Sequence, residues 1–348
     1  MHNSRGEKMY EKERIKWLDV CKGICMICVV LSHSVHPPEI VAAFYRPFFL
    51  AGFFFATGYT FKVIPCREFM TKRVKTLLLP WLLWGTIDLV MVSIFGQDHN
   101  VIRRVVLNLL QIKGFYDALW FLPCTFIVSL FLDGLLRKFS VRRTLTILVV
   151  LTVLNRLFVM LVNPELLPWR TLALPWHIHL LGPVGLIMLF GYMTSKGVIN
   201  KVFGWPIPEL LFVFFYLLVS GFQFLFHGKV TELLGGGTIL WVLLIFTGII
   251  TVKALSCGLK KNRLLSYIGK NSLQFFCIHV IIIRFANKAF ERLYILCKGS
   301  PSVCFVLPIV ETGIVIGITA LGVEAYKRGV QAKMIPAASR KITQIMRR

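Results

Sequence analysis

Apolar residues follow one another along this chain in runs of about twenty, separated by short charged or Pro/Gly-rich seams. A run of that length is what an α-helix needs to cross the hydrocarbon core of a bilayer. Ten such runs are predicted, at 17–36, 43–61, 77–95, 118–136, 144–163, 176–195, 208–226, 236–253, 271–290 and 302–323. The clearest lies between Leu233 and Val252, which contains no charge, and the least clear are those interrupted by Arg284 and Glu311. No internal repeat breaks the pattern, and no stretch is left for a second folded domain. The expected architecture is all-α and polytopic, with about ten transmembrane helices in one bundle over 17–323. A basic N-terminal segment, 1–16, precedes it and a basic tail, 324–348, follows. The residues before the first run are too charged and too many for a cleaved signal peptide, so that run reads as an uncleaved signal anchor.

Composition agrees with this pattern and removes the alternatives. Of 348 residues 56% are hydrophobic and 16% charged, with a formal net charge of +24. The mean hydropathy is +0.72. A nucleic-acid binder would carry such a charge on a polar scaffold, and a disordered chain would be poor in apolar residues. Nucleic acid is therefore not expected as a partner; the lipid bilayer is. Nine cysteines are too sparse for a disulfide framework, and Cys21, Cys25 and Cys28 sit within an apolar run as packing thiols.

Most of the positive charge is an orientation signal. With ten spans, 28 of the 40 Lys and Arg residues fall on the side of the N-terminus, the side on which basic loops are retained. Both termini are accordingly expected in the cytoplasm, and the protein in the inner (plasma) membrane. Eight or twelve spans would preserve that orientation.

Ionisable groups at membrane depth are costly and mark function by default. The first run holds Asp19, Lys22 and His33. At about 100° per residue, the eleven steps from Lys22 to His33 bring both to one helix face, about 16 Å apart, and Asp19 shares it. A local Asp19–Lys22 pair at the interface, with His33 in the headgroup layer, is the plain alternative. Imidazole is the side chain suited to take and return a proton near neutral pH. His36 lies on the same side, but His36-Pro37-Pro38 reads as a span-ending turn. The second run, Tyr45 to Tyr59, combines aromatic residues with small ones at 52, 56 and 58 that let helices approach closely. After it come Lys72, Arg73 and Lys75, an orientation signal or the cations that a phosphate-rich ligand requires.

Six motifs then stand in order: Trp17-Leu18-Asp19, with Lys22 ten residues ahead of His33; Phe53-Phe54-Phe55-Ala56-Thr57-Gly58-Tyr59; Arg73 before Leu77-Leu78-Leu79-Pro80; Leu119-Trp120-Phe121-Leu122; Gly269-Lys270-Asn271-Ser272-Leu273; and Cys277-Ile278-His279. Together they resemble the acyltransferase-3 family of integral membrane O-acyltransferases, from about residue 14 to residue 323. The resemblance implies a ten-helix bundle that moves acetyl groups from cytosolic acetyl-CoA to hydroxyls of extracytoplasmic or lipid-linked glycans. Lys22 stands where many relatives have Arg, an accepted variant. Thr76 stands where a second Arg often follows Arg73, with Lys75 beside it. Lys lacks the bidentate fork of Arg.

The site expected on this basis assigns His33 as general base toward the sugar hydroxyl, by direct transfer or through an acetyl-histidine. Lys22, held by Asp19, stabilises charge on the donor or the thioester oxygen, and Arg73, with Lys72 and Lys75, binds the CoA phosphates. Acetyl-CoA enters as co-substrate, with no permanently bound cofactor and no metal. Acceptor or supporting roles fall to Trp120, Tyr59, Asn271, Ser272, His279 and Glu311. Trp120 reads as a sugar-stacking platform or an interfacial belt residue, and His279 as a site residue or a helix–helix hydrogen-bonding group. Glu311 is a candidate partner for Arg284. His177 and His179 are expected at the interface. The rival from another class is a transporter or flippase of a lipid-linked glycan, using the same buried charges as a route.

Overall fold

The computed structural model describes residues 14–95, 100–112, 118–162, 174–198, 209–225, 237–297 and 300–345. Most of the predicted N-terminal segment, 1–13, lies outside the described residues, as do the side chains after residue 329. The regular elements among the described residues are helices. In chain order they are α1 (Lys16–Ser32), α2 (Glu39–Tyr45), α3 (Phe49–Tyr59), α4 (Cys66–Arg73), α5 (Leu79–Phe95), α6 (Val101–Leu110), α7 (Phe121–Lys138), α8 (Val141–Leu161), α9 (Leu181–Ser195), α10 (Glu209–Leu225), α11 (Gly237–Gly258), α12 (Arg263–Lys270), α13 (Ser272–Leu296) and α14 (Pro301–Ile345). A π-helical turn, Val74–Leu78, joins α4 to α5, and 3-10 turns at Ala118–Trp120 and Pro175–Leu180 lead into α7 and α9.

Among the described residues, seven helical stretches are long and apolar enough to cross a membrane: Glu39–Tyr59, Cys66–Ile94, Val141–Leu161, Pro175–Ser195, Leu240–Gly258, Ser272–Leu296 and Ser302–Gly329. The chain is thus an all-α, polytopic membrane protein. The other three predicted runs are occupied by α1, α7 and α10, helices of 17, 18 and 17 residues. Lys16, Asp19 and Lys22 in α1, and Asp133, Arg137 and Lys138 in α7, lower the apolar character of those two.

Several predicted boundaries move. The run at 43–61 is broken between α2 and α3, because Pro47 has no N–H to return to the carbonyl of Ala43. The run at 77–95 is the second part of a helical path that begins at Cys66, so Lys72, Arg73 and Lys75 stand on that path and not in a loop. The final run continues as one helix of 45 residues, about 68 Å at 1.5 Å per residue, through the region predicted as a tail.

α1 is the inner helix of the bundle, packed against α3, α11, α12, α13 and α14. Val20, Cys21, Cys25, Met26 and Val30 on it are wholly buried. Where α1 crosses α12 the backbones nearly touch. A Cβ on Gly23 would lie 2.2 Å from the Leu265 carbonyl oxygen, and one on Gly269 would lie 1.7 Å from that of Asp19. The α3–α9 contact is built the same way, with a Cβ on Gly58 falling 1.9 Å from the Met188 oxygen. Between helices in lipid, where no difference in apolarity drives association, such close backbone packing supplies the attraction. Leu145, Val149, Val153, Leu157 and Met160 on α8 are exposed, the surface lipid tails would cover. All nine cysteines are free thiols.

Candidate active site

At the Lys16 end of α1, the buried carboxylate of Asp19 accepts a hydrogen bond from Arg14 Nε at 2.7 Å and faces Lys22 Nζ at 3.1 Å. The expected Asp19–Lys22 pair is present. Arg14, which stands just before the helix and outside the predicted span, completes it. Lys22 lies in the wall of a cavity of about 240 Å³. Its polar lining also includes Thr57, Thr60, Thr76 and Ser272, and its apolar lining includes Phe53, Phe121 and Phe276. Thr76 reaches this wall from the π-helical turn, which the Leu79 N–H closes on the Val74 carbonyl. An inserted residue of this kind re-aims side chains and recurs at functional sites. Thr76, which stands where the family resemblance implies a second Arg, thus lines the cavity and donates its hydroxyl to the Lys72 carbonyl at 2.8 Å.

Three turns further along α1, His33 is the exposed residue that ends the helix. Its ring lies 5.7 Å from that of His279 on α13. His279 is fully buried, and its Nδ1 is 3.0 Å from the Phe275 carbonyl of its own helix. That bond places the proton on Nδ1 and leaves Nε2 with a free lone pair, for which the described residues offer no hydrogen-bond partner. Among the described residues His279 makes no hydrogen bond to another helix; its Nδ1 is turned back to its own helix. The turn after His33 is tied down by two distant helices. Asn287 Nδ2 donates to the His33 carbonyl at 3.0 Å, and Val35 N–H donates to Glu311 Oε2 at 2.9 Å. Glu311 is wholly buried, and its other oxygen has no hydrogen-bond partner among the described residues.

Between the two ends of α1 stands an aromatic series. Phe121 lies 4.4 Å from Phe54 and 5.6 Å from Phe276, and Phe276 lies 5.8 Å from His279, all between ring centroids. Phe276 belongs both to the wall of the Lys22 cavity and to the surroundings of His279, so its ring stands between the cavity and the histidine pair.

Arg73 at the end of α4 is half-buried over two neighbouring rings, 5.4 Å from the Phe61 centroid and 5.1 Å from that of Phe69. Such faces hold a guanidinium through its charge and leave its N–H edge free to bind. Lys72 and Lys75 are exposed. The chain before α4 is fastened by Arg137, which pairs with Asp133 at 2.6 Å and donates to the Ile64 carbonyl.

The remaining expected residues are dispersed. Asn271 separates α12 from α13 and donates to the Tyr267 carbonyl at 2.8 Å, next to Ser272 in the cavity wall. Tyr59 packs edge-on against Trp17 at 5.0 Å, near the Lys16 end. Trp120 is half-buried, 5.1 Å from the His177 ring. His177 is buried, in the 3-10 turn before α9 where Trp176 and His177 both take left-handed backbone conformations. His179 Nδ1 accepts from the Leu174 N–H at 3.2 Å. Arg284 does not pair with Glu311. It binds Asp88 of α5 at 2.7 Å, because α13 lies against α5 at that level while Glu311 is held by Val35. Among the described residues, no group of three His, Cys, Asp or Glu side chains is placed to hold a metal ion.

A helical membrane bundle with a cavity at one end of a polar helix and paired imidazoles at the other is suited to enzymes that join substrates from two sides. The sequence pattern of the acyltransferase-3 family, an acyltransferase domain, matches residues 15–323. The chain belongs to that family and is a membrane-embedded acyltransferase, which favours transfer over transport for the same buried charges. No curated protein and no solved structure matched the chain.

Proposed function

We propose that the enzyme transfers an acetyl group from cytosolic acetyl-CoA to a hydroxyl of a lipid-linked or extracytoplasmic glycan, in the plasma membrane, with His33 as general base. The observation that carries this reading is the His33–His279 pair at one end of α1, joined through Phe276 to the Lys22 cavity at the other. The donor's nucleotide phosphates bind at Arg73, with Lys72 and Lys75 adding charge. Its pantetheine arm enters past Lys22, Thr76 and Ser272 and carries the thioester toward His33. About 16 Å of helix separates Lys22 from His33. Of the two roles expected of Lys22, that spacing favours holding the donor over stabilising the thioester oxygen.

In the reaction, the acceptor oxygen forms a bond to the acetyl carbonyl carbon while His33 takes the hydroxyl proton. The carbon–sulfur bond then breaks, and the proton passes from His33 to the departing CoA thiolate. A general base of this kind contributes about 10²–10⁴-fold. His33→Ala is expected to lower transfer by about that factor, with membrane insertion and abundance unchanged. The measurement is mass spectrometry of cell-surface glycans from cells expressing each form, read as the mass increment of one acetyl group. Wild-type acetylation by the variant removes His33 from the role.

A further inference from the structure

A second cavity, of about 370 Å³, lies apart from Lys22 and His33, between α2, α10 and α11. Its lining includes Glu39, Arg46, Ser220, Gln223, Phe224 and Trp241. Its position follows from the chain path. Glu39 begins α2 six residues after His33, so this cavity opens at the His33 end of the bundle. Gln223 and Phe224 stand in the last turn of α10, and Trp241 stands near the start of α11. At the opposite ends of those two helices, Glu209 pairs with Lys253.

The cavity is a built feature of the fold. On α10, Tyr216, Ser220, Gln223 and Phe224 follow one another at helical spacing on one face. Tyr216 is buried and donates its hydroxyl to the Phe44 carbonyl of α2, fixing the cavity's inner end. Gly248 makes room for the Tyr216 ring, since a Cβ there would lie 2.9 Å from it. At the mouth, Arg46 grips Glu39 through two parallel hydrogen bonds of 2.8 and 2.9 Å, leaving part of each group exposed. Trp241, in the lining of the cavity, is 40% exposed.

Ala43, Pro47, Phe224 and Leu244 give the cavity apolar walls, but a lipid tail filling it would also set hydrocarbon against an ion pair and an amide, which is unfavourable. A flat aromatic face beside a carboxylate, a guanidinium, an amide and a hydroxyl is the chemistry that matches a sugar ring. The ring's C–H face covers the indole, and its hydroxyls exchange hydrogen bonds with the polar groups. We infer that this cavity is a saccharide subsite, which holds a sugar unit of the acceptor glycan remote from the hydroxyl being acylated at His33. The inference rests on the proposed glycan acceptor and adds where that acceptor is gripped. Binding energy from a remote unit of this sort positions the reacting hydroxyl.

The test uses the purified full-length protein and a defined probe: surface polysaccharide from cells lacking the gene, cleaved to soluble oligosaccharides. Binding is measured by calorimetry and transfer by acetyl-CoA consumption. Trp241→Ala and Gln223→Ala are each expected to weaken oligosaccharide binding and raise KM for it by about tenfold, with acetyl-CoA affinity unchanged. Trp241→Phe is expected to recover most of the loss, which a merely structural defect would not predict. Leu218→Ala, on the exposed side of α10, is the control that leaves KM unchanged. Wild-type KM and affinity in both cavity variants would overturn the subsite and leave the proposed reaction standing. If the wild-type protein itself neither binds nor acetylates the oligosaccharides, the glycan acceptor and the subsite fall together.

Discussion

The intramembrane charges differ in what holds them, and that difference separates structural residues from candidates for chemistry. Asp88 and Arg284 hold each other between α5 and α13 by one hydrogen bond of 2.9 Å and an ion contact of 2.7 Å, a pair that fixes helix positions. His279 Nε2 and one oxygen of Glu311 are buried without a hydrogen-bond partner among the described residues. Such groups cost about 1–3 kcal/mol each when left unmade, so they are retained where a substrate or a second state uses them. Arg73 is a third kind, positioned by phenyl rings and making no side-chain hydrogen bond among the described residues. Arg73→Ala is expected to weaken acetyl-CoA binding to the purified protein about tenfold or more, the worth of a charge-assisted contact. Arg73→Lys keeps a cation over the rings and loses the fork, so it is expected to fall between the two. Unchanged affinity in Arg73→Ala would move the donor phosphates elsewhere.

Helix α1 owes its place to its glycines as much as to its apolar face. With no side chain at Gly23 and Gly269, α1 and α12 meet backbone to backbone, and the Asp19–Lys22 pair is carried into the interior on that contact. Gly269→Val is therefore expected to destabilise the protein by about 1–3 kcal/mol or more, since the obstacle is a carbonyl and not a movable side chain. The thermal midpoint in detergent reads this. A midpoint equal to the wild type would mean that the two helices can separate freely. The path from α4 to α5 depends on irregularity in a similar way. A continuous α-helix would rotate Thr76 and Leu77 relative to Lys75, and the π-helical turn instead sets the hydroxyl in the cavity wall with the cation outside.

On the scale of the whole molecule, the two cavities and the histidine pair divide along α1. The Lys22 cavity lies toward one end, and the imidazoles and the second cavity lie toward the other. That division serves a reaction across a membrane only if the Lys16 end faces the cytoplasm, as the excess of basic residues on that side predicts. A reporter fused after Arg348 is expected to be active only in the cytoplasm, and one inserted between residues 226 and 236 only outside. The reverse result would place donor and acceptor on the wrong sides and defeat the proposed transfer.

Much of the architecture was legible in the sequence because lipid imposes a single rule. Backbone polar groups must be satisfied within each spanning segment, so runs of about twenty apolar residues become helices wherever they occur. The shared face of Asp19, Lys22 and His33 was legible for the same reason, since helical geometry fixes angles between near neighbours. Positions 22 and 279 could be singled out as polar residues in apolar runs, but their surroundings could not. His279 reaches His33, Glu311 reaches Val35 and Arg284 reaches Asp88 across 246, 276 and 196 residues of chain. The sequence by itself determined the helices and the ionisable groups they carry. Tertiary structure alone decided which of those groups meet, because contacts between helices depend on packing angles and close glycine approaches that no local pattern encodes.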